Sequence, residues 1–232
     1  MNRLPVCLIS ILCFVLLISP AGAERLNALE IFEGMFYYEN DQLDSVSGIN
    51  DYTCMKTETT VMAGSPSRSI VDKELFYMVP GFYIQLIDGN PAFYMDVAEM
   101  ASRLQFVQVE RLRDAEIDGV DCYVIRMEPN DPAYSMYTKT YYVSQEDFRK
   151  VRTISVNAND EYDNMTTEIN YTYGEVDRFL LILEETAVWH GENGNEIATV
   201  TSEYTDYEFG VGLTEEFFAS HRENRDIVPP QT

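Results

Sequence analysis

The chain has 232 residues, of which 46% are hydrophobic, and its formal net charge is −23. A chain of this length forms one domain or two small ones. Its negative field repels nucleic acid and anionic membrane surfaces, so we expect neither as a partner, and we expect a monomer.

Residues 1–23 have the pattern of a secretory signal peptide. Arg3 gives a positive start, an apolar run extends from Leu4 to Ile18, and Ala21-Gly22-Ala23 resembles a cleavage site. Because the run is shorter than the ~20 apolar residues of a membrane span, we expect cleavage and export to the periplasm. If it stays uncleaved, it tethers the domain at the inner membrane.

The first elements after the signal are a helix and several strands. Apolar residues recur every three or four positions over residues 25–38, which predicts an amphipathic helix. Strands are predicted over 52–61, 69–79 and 82–87, and the last of these ends at the turn cluster 88–91. Val97, Met100, Ala101 and Leu104 share one helical face, which predicts a second helix over 95–106.

The rest of the chain has the alternation of antiparallel strands. Asp118-Gly119 predicts a type I′ hairpin between strands 107–117 and 120–127, and Asn193-Gly194 predicts another between 179–189 and 196–207. Further strands are predicted over 137–143, 151–156 and 165–173. The polar residues 219–232 are expected to form a loose C-terminal tail after a domain over 24–218.

These elements predict an α+β fold that is mostly β. Two helices and nine or ten sequential strands fit one curved antiparallel sheet with an apolar face that the helices cover as a lid.

Motifs for catalysis and metal binding are missing from the sequence. The histidines, His190 and His221, are far apart, and no Cys-x-x-Cys, nucleophile elbow or glycine-rich phosphate loop occurs. Asp160, Glu161 and Asp163 are oxygen-rich but lack the spacing of a calcium loop. We therefore expect no enzyme activity, no metal and no cofactor.

Aromatic side chains are abundant on the predicted strands. They form an ordinary core, or they line a concave apolar cavity that binds an acyl chain or another apolar group. The candidates for lining such a cavity are Tyr77, Phe82, Tyr83, Phe93, Tyr94, Met100, Leu104, Tyr141, Ile169 and Tyr171.

Two cysteines follow the signal, Cys54 and Cys122. Export permits a disulfide between them, and the alternative is two buried thiols.

The order of several short motifs resembles the LolA-like superfamily of outer-membrane lipoprotein-sorting proteins. The motifs are an exported leading helix, then residues 75–83, 88–96, 118–129 and 141–144. The resemblance implies a half-barrel of antiparallel strands closed by helices, which carries lipoprotein acyl chains or senses such lipids, and no reaction. Such carriers have an arginine that latches the lid before the proline ending the second strand; here Val79 takes that position.

Two hypotheses follow from this resemblance. The first is a periplasmic carrier that binds the acyl chains of lipids or lipoproteins. The alternative is an envelope-stress sensor or regulatory interaction module on the same fold, with a membrane-anchored protein as partner.

Overall fold

The computed structural model describes residues 26–47, 50–79, 81–95, 106–130, 137–157 and 165–225. The predicted signal peptide and almost all of the predicted helix 95–106 lie outside these residues.

Two helices lie near the ends of the described chain, α1 over Ala28–Ser47 and α2 over Glu215–Arg225. The predicted first helix is confirmed, and it is longer than the apolar pattern indicated. It begins with a reciprocal cap: Asn27 Oδ1 accepts hydrogen bonds from the amides of Leu29 and Glu30 at 2.9 and 3.1 Å, and Glu30 Oε2 accepts one from the Asn27 amide at 2.7 Å. This exchange satisfies amides that have no partner inside the helix.

The described strands form one antiparallel sheet of twelve strands. They are β1 Asp51–Met62, β2 Arg68–Met78, β3 Phe82–Ile87, β4 Asn90–Met95, β5 Val107–Arg111, β6 Ala115–Ile117, β7 Val120–Pro129, β8 Tyr137–Ser144, β9 Lys150–Asn157, β10 Thr166–Val176, β11 Phe179–His190 and β12 Glu196–Phe209. The strand order is β4-β3-β2-β1-β12-β11-β10-β9-β8-β7-β5, with β6 also paired to β7. The predicted fold class, an open curved antiparallel sheet with helical cover, is confirmed.

The predicted hairpin at Asp118-Gly119 has the expected turn. Asp118 and Gly119 have φ values of 51° and 84°, and a type I′ turn needs positive φ at both positions. The second predicted hairpin also forms, but its loop extends from Gly191 to Asn195, whose backbone groups are bonded at 2.9 Å. There Gly194 has a φ of 71°.

The two helices pack on opposite faces of the sheet. Ile31, Phe32 and Met35 of α1 are buried against Ile125 and Val143, and the face that carries these two residues is called the inner face below. In contrast, Phe218 of α2 packs among Met78, Ile84, Leu86 and Tyr94. Along their strands these four residues alternate with residues of the inner face, so they lie on the opposite side of the sheet, which we call the outer face. Helix α2 therefore covers the outer face.

Helix α2 occupies part of the segment predicted to be a loose tail. Thr214 Oγ1 accepts a hydrogen bond from the Phe217 amide at 3.3 Å, and Glu215 and Glu216 lie in the first turn, where negative charge is favourable. The neighbouring Phe217 and Phe218 anchor the helix, and Ala219, Ser220 and Arg222, which follow them, are exposed.

Candidate functional site

Strand pairing places two rows of side chains across the inner face. One row contains, in directly opposed pairs, Thr60, Val200, Ala187, Ile169, Thr153, Tyr141 and Ile125. The next contains Met62, Ala198, Trp189, Thr167, Ser155, Lys139 and Met127. Helix α1 covers the β7–β8 end of these rows, where Ile125, Tyr141 and Met127 belong to its apolar cluster.

The other end of the rows carries an apolar surface that we call the inner strip. Its residues are Met62, Ala187, Trp189, Ala198, Val200 and Ile169. Met62 is 48% exposed and Trp189 38% exposed, whereas Ala198 between them is fully buried. The exposed apolar surface of the strip is therefore contributed mainly by Met62 and Trp189, with small alanines beside them.

Beside the inner strip, the inner face carries a charged network. Lys56 is only 7% exposed, and its Nζ lies 3.0 Å from Glu58 Oε1 and 3.3 Å from Glu185 Oε2. Lys73 pairs with the other oxygen of Glu58. The Lys56 ammonium also lies 5.2 Å from the centre of the Tyr204 ring. Two cations and two carboxylates balance, so the network is neutral in total.

Burial and charge in this network shift two pKa values. Burial favours the protonated form of Glu58, but hydrogen bonds from Lys73 and Lys56 outweigh it and hold the pKa of this carboxyl below its usual value. Burial, with the neighbouring Glu185 carboxylate, raises the pKa of Tyr204 far above its usual range. Tyr204 therefore stays a neutral phenol.

Beyond this network the inner face is filled by a packed apolar core. The buried members are Tyr52, Cys54, Leu75, Tyr77, Phe179 and Leu181. Its rings are in close contact, with centroids 5.1 Å apart for Tyr52 and Tyr77 and 4.6 Å apart for Phe179 and Phe209. This end of the inner face is therefore a packed core.

The predicted lining residues fall into separate places. Tyr77 lies in the packed core, with Tyr83 against it. The Tyr83 ring contacts Phe93 at 5.8 Å, and Phe93 is 42% exposed on the edge strand β4. The structure therefore brings Tyr77, Tyr83 and Phe93 together, away from the inner strip.

The remaining candidates divide between the two faces. Tyr141, Ile169 and Tyr171 lie on the inner face, and Ile169 belongs to the inner strip. Phe82 and Tyr94 lie on the outer face with Phe218. Met100 and Leu104 lie outside the described residues. The sequence analysis did not identify Trp189, Ala187, Ala198 and Val200 as candidate lining residues. The signal that could have identified them is their shared face in the alternating strands predicted over 179–189 and 196–207.

The two cysteines are buried free thiols. Cys54 is in β1 on the inner face, and Cys122 is in β7 on the outer face. Strands β12, β11, β10, β9 and β8 separate them, too far for a disulfide. The structure has the predicted alternative, two buried thiols, and the disulfide pairing is wrong.

Helix α1 is fastened at its start and at its middle without an arginine at position 79. Arg111 Nη1 donates to the carbonyl of Leu26 just before the helix, and its guanidinium lies 5.1 Å from the Tyr123 ring centre. Further along the helix, Tyr38 Oη donates to the Leu180 carbonyl at 3.0 Å. Val79 instead packs against the apolar core.

A cleft of about 390 Å³ lies where β10 extends beyond its last pairing with β9. Its lining residues are Val120, Arg149, Lys150, Val151, Tyr171, Thr172, Tyr173 and Leu180. The Lys150 ammonium lies 4.9 Å from the Tyr171 ring centre, and the Arg149 guanidinium lies 5.8 Å from that of Tyr173. We call this feature the basic cleft.

The described part of the chain contains no cluster of three or more histidine, cysteine or acidic side chains arranged to hold a metal ion. Neither helix of that part has the length and apolar character needed to cross a membrane.

Comparison with known proteins gives matches among solved structures alone. No family model and no curated protein matches the chain. A DUF1329 family protein from Desulfovibrio piger superposes with a TM-score of 0.54 at 11% identity, over 81% of this chain and 96% of that one. A domain assigned to outer membrane lipoprotein sorting in Vibrio parahaemolyticus gives 0.54 at 14% identity, over 83% and 99%.

A LolA superfamily protein from Nitrosomonas europaea gives a TM-score of 0.51 at 11% identity, over 84% of this chain and 98% of that one. At these identities the likeness concerns the fold. The chain has a LolA-like fold, and the resemblance inferred from the motifs is confirmed at that level.

Proposed function

We propose that the chain is an exported periplasmic carrier that holds the acyl chains of lipids or lipoproteins on the inner strip. The observation that carries this proposal is the exposure of the large apolar side chains of Trp189 and Met62 beside small alanines on the inner face. An acyl chain on this strip removes their apolar surface from water, which favours binding by ~25 cal/mol per Å². The role involves no reaction and no cofactor.

The position of α1 and the hydrogen bonds that hold it there support the same role. Helix α1 lies over one end of the inner face, and Arg111 and Tyr38 hold it at its start and at its middle. The carrier therefore needs no arginine at Val79 to keep this helix in place, and the inner strip beside it is the surface offered to cargo.

The test uses Trp189, which is the single tryptophan of the chain. Titration of the full chain with a fatty acid brominated in mid-chain should quench indole emission, because bromine quenches at short range. An unbrominated acid should bind and shift the emission to shorter wavelength. Unchanged emission with both acids contradicts the proposal and favours the alternative, an envelope-stress sensor that meets a membrane-anchored protein.

A matched pair of variants tests the position of the acyl chain. Ala187→Gln places an amide in the inner strip, and we expect about tenfold weaker binding because a polar group is buried without a partner. The control is Thr186→Gln, the preceding residue, whose side chain lies on the outer face. Equal affinities of the two variants would place the binding elsewhere.

A further inference from the structure

We propose that the cargo is a lipoprotein, and that the polypeptide following its acylated residue pairs with an open edge of β2 as an added strand. This inference rests on the proposed function and names the class of cargo. The open edge consists of residues 68–73, which lie beyond the pairing of Glu74 with Leu86, the last between β2 and β3. Among the strands that the structure describes, none pairs with β2 along this side of the segment.

The backbone of the open edge presents hydrogen-bonding groups to solvent. The Val79 amide donates to the Asn50 carbonyl at 2.8 Å, and the pairing of β2 with β1 continues from there without a register shift. Because bonded positions alternate in an antiparallel pair, every second residue of β2 bonds to β1. The residues between them, Arg68, Ile70 and Asp72, direct their N–H and C=O groups away from β1. These groups are available to an extended polypeptide.

The open edge lacks the protection found on the outermost strands of the sheet. At one end of the sheet, β4 carries Pro91, and its pairing with β3 has a register shift beside this proline; at the other end, β5 and β6 have five and three residues. Proline, bulges and short strands are common means of blocking an edge. The open edge has no proline and no register shift, and Ile70 at its centre is 63% exposed. A regular, exposed edge of this kind accepts another strand.

The position of the open edge connects it to the inner strip. Met62, at the exposed end of the strip, directly follows Val61, which is paired with Arg68 of the open edge. A strand added to β2 lies two strand spacings, about 10 Å, from β1. One acylated polypeptide therefore reaches both places, with its acyl chain on the strip and its first residues along the edge. A lipid without a polypeptide would leave the edge unpaired.

Charge around the open edge favours a basic polypeptide. Asp72, Glu74 and Asp88 are exposed near the β3 end of the gap, whereas Arg68 is exposed at its other end. The net charge of −23 attracts a basic segment as well. Pairing through the backbone does not depend on the side chains of the added strand, so the edge accepts polypeptides of different sequence.

The experiment compares four ligands on the full-length protein, below their micelle concentrations, by isothermal titration calorimetry. They are a palmitoylated peptide of five alternating lysines and valines, the same molecule methylated at every backbone amide, palmitoylglycinamide, and the peptide without its acyl chain. The two palmitoylated peptides have the same charge and side chains, but the methylated one cannot donate to a strand edge. We expect the unmethylated one to bind at least about tenfold more tightly, as one or two net hydrogen bonds allow. The peptide without its acyl chain should not saturate the protein up to about 1 mM.

Two variants at one position test the assignment to the open edge. Ile70→Pro removes an outward amide and keeps the bonds to β1, because proline is tolerated where the N–H of an edge strand faces solvent. It should remove the difference between the two palmitoylated peptides and leave the dissociation constant of palmitoylglycinamide within about twofold. The matched control is Ile70→Thr, which keeps the amide and should keep the difference. Thermal melting of both variants checks their folding.

The outcomes separate the two proposals. If the native protein binds none of the palmitoylated ligands, the proposed carrier function fails. If it binds them but does not distinguish the methylated peptide, or if Ile70→Pro keeps the difference, the open edge is overturned as a cargo site and the carrier function stands. If the peptide without an acyl chain binds as tightly as the palmitoylated one, the edge belongs to a partner protein and its assignment to cargo is overturned.

Discussion

Lys56 and Glu58 place charge on the inner face between the apolar core and the inner strip. Removing a charge from water costs several kcal/mol unless partners are close, and here each ion has an opposite charge within hydrogen-bonding distance. Both side chains come from β1 and stand two residues apart, so they share a face whatever the rest of the sheet does. The pairing with Glu185 then fastens β1 to β11 across β12.

Glu58→Gln tests the network through its pH dependence. Because the pKa of Glu58 is lowered in the folded state, its ionisation stabilises the protein above the ordinary carboxyl pKa, and this contribution is lost as the pH falls through the lowered value. We expect the variant to lose about 1.5 kcal/mol at pH 7, and less as the pH falls below about 4.5. Urea unfolding of native and variant protein over this range measures the difference.

The matched control for this prediction is Glu116→Gln, at an exposed residue of β6. It should change the free energy of unfolding by under about 0.5 kcal/mol. A Glu58→Gln effect that does not depend on pH would show that packing, and not ionisation, is what the glutamate contributes.

At the scale of elements, the sequence predicts those features that local chemistry determines. The periodic apolar residues of α1 and the Asp-Gly turns were predicted because each depends on neighbours in the chain. Residues 82–87 are different, since they are apolar at nearly every position. Tyr83 faces the inner side and Ile84 the outer, and both faces are covered, so alternation cannot show which aromatic residues line a cavity.

Helix α2 was missed for a related reason. Its only apolar anchors are Phe217 and Phe218, and the rest of Glu215–Arg225 reads as polar. Its partner surface, on β2, β3 and β4, is more than 120 residues earlier in the chain, so no window of the sequence shows both. The inner strip was missed similarly, because Ala187 and Ala198 come to lie near each other only once β11 and β12 are paired.

Phe218→Ala tests whether α2 is an integral element. Phe218 is fully buried, and truncation of such a ring leaves a cavity that costs about 3–5 kcal/mol. Urea unfolding should show a loss of this size, whereas the exposed neighbour Ala219→Ser should lose under about 1 kcal/mol. A small loss for Phe218→Ala would mean that the helix detaches without cost to the sheet.

At the scale of the whole molecule, the position of β12 beside β1 joins the two ends of the chain into one sheet. The pairing covers Tyr52 to Met62 on one strand and Ala198 to Phe209 on the other. The inner strip depends on it, since Met62 and Val200 come from these two strands. The inner strip is therefore complete only when the first and last strands have paired, and an acyl chain bound there, as proposed, would stabilise the complete sheet by mass action.

The net charge of −23 affects the stability of the whole folded domain. Like charges held at the distances of a folded domain repel more than they do in an extended chain, so the field opposes folding. Salt screens this repulsion, since the Debye length falls from about 30 Å at 0.01 M to about 10 Å at 0.1 M. We therefore expect the melting temperature to rise by about 5 °C over this range, equivalent to about 1–2 kcal/mol. Sodium and tetramethylammonium chloride should act equally if screening is the cause. A melting temperature that falls with salt would show instead that ion pairs such as Lys56–Glu58 outweigh the net repulsion.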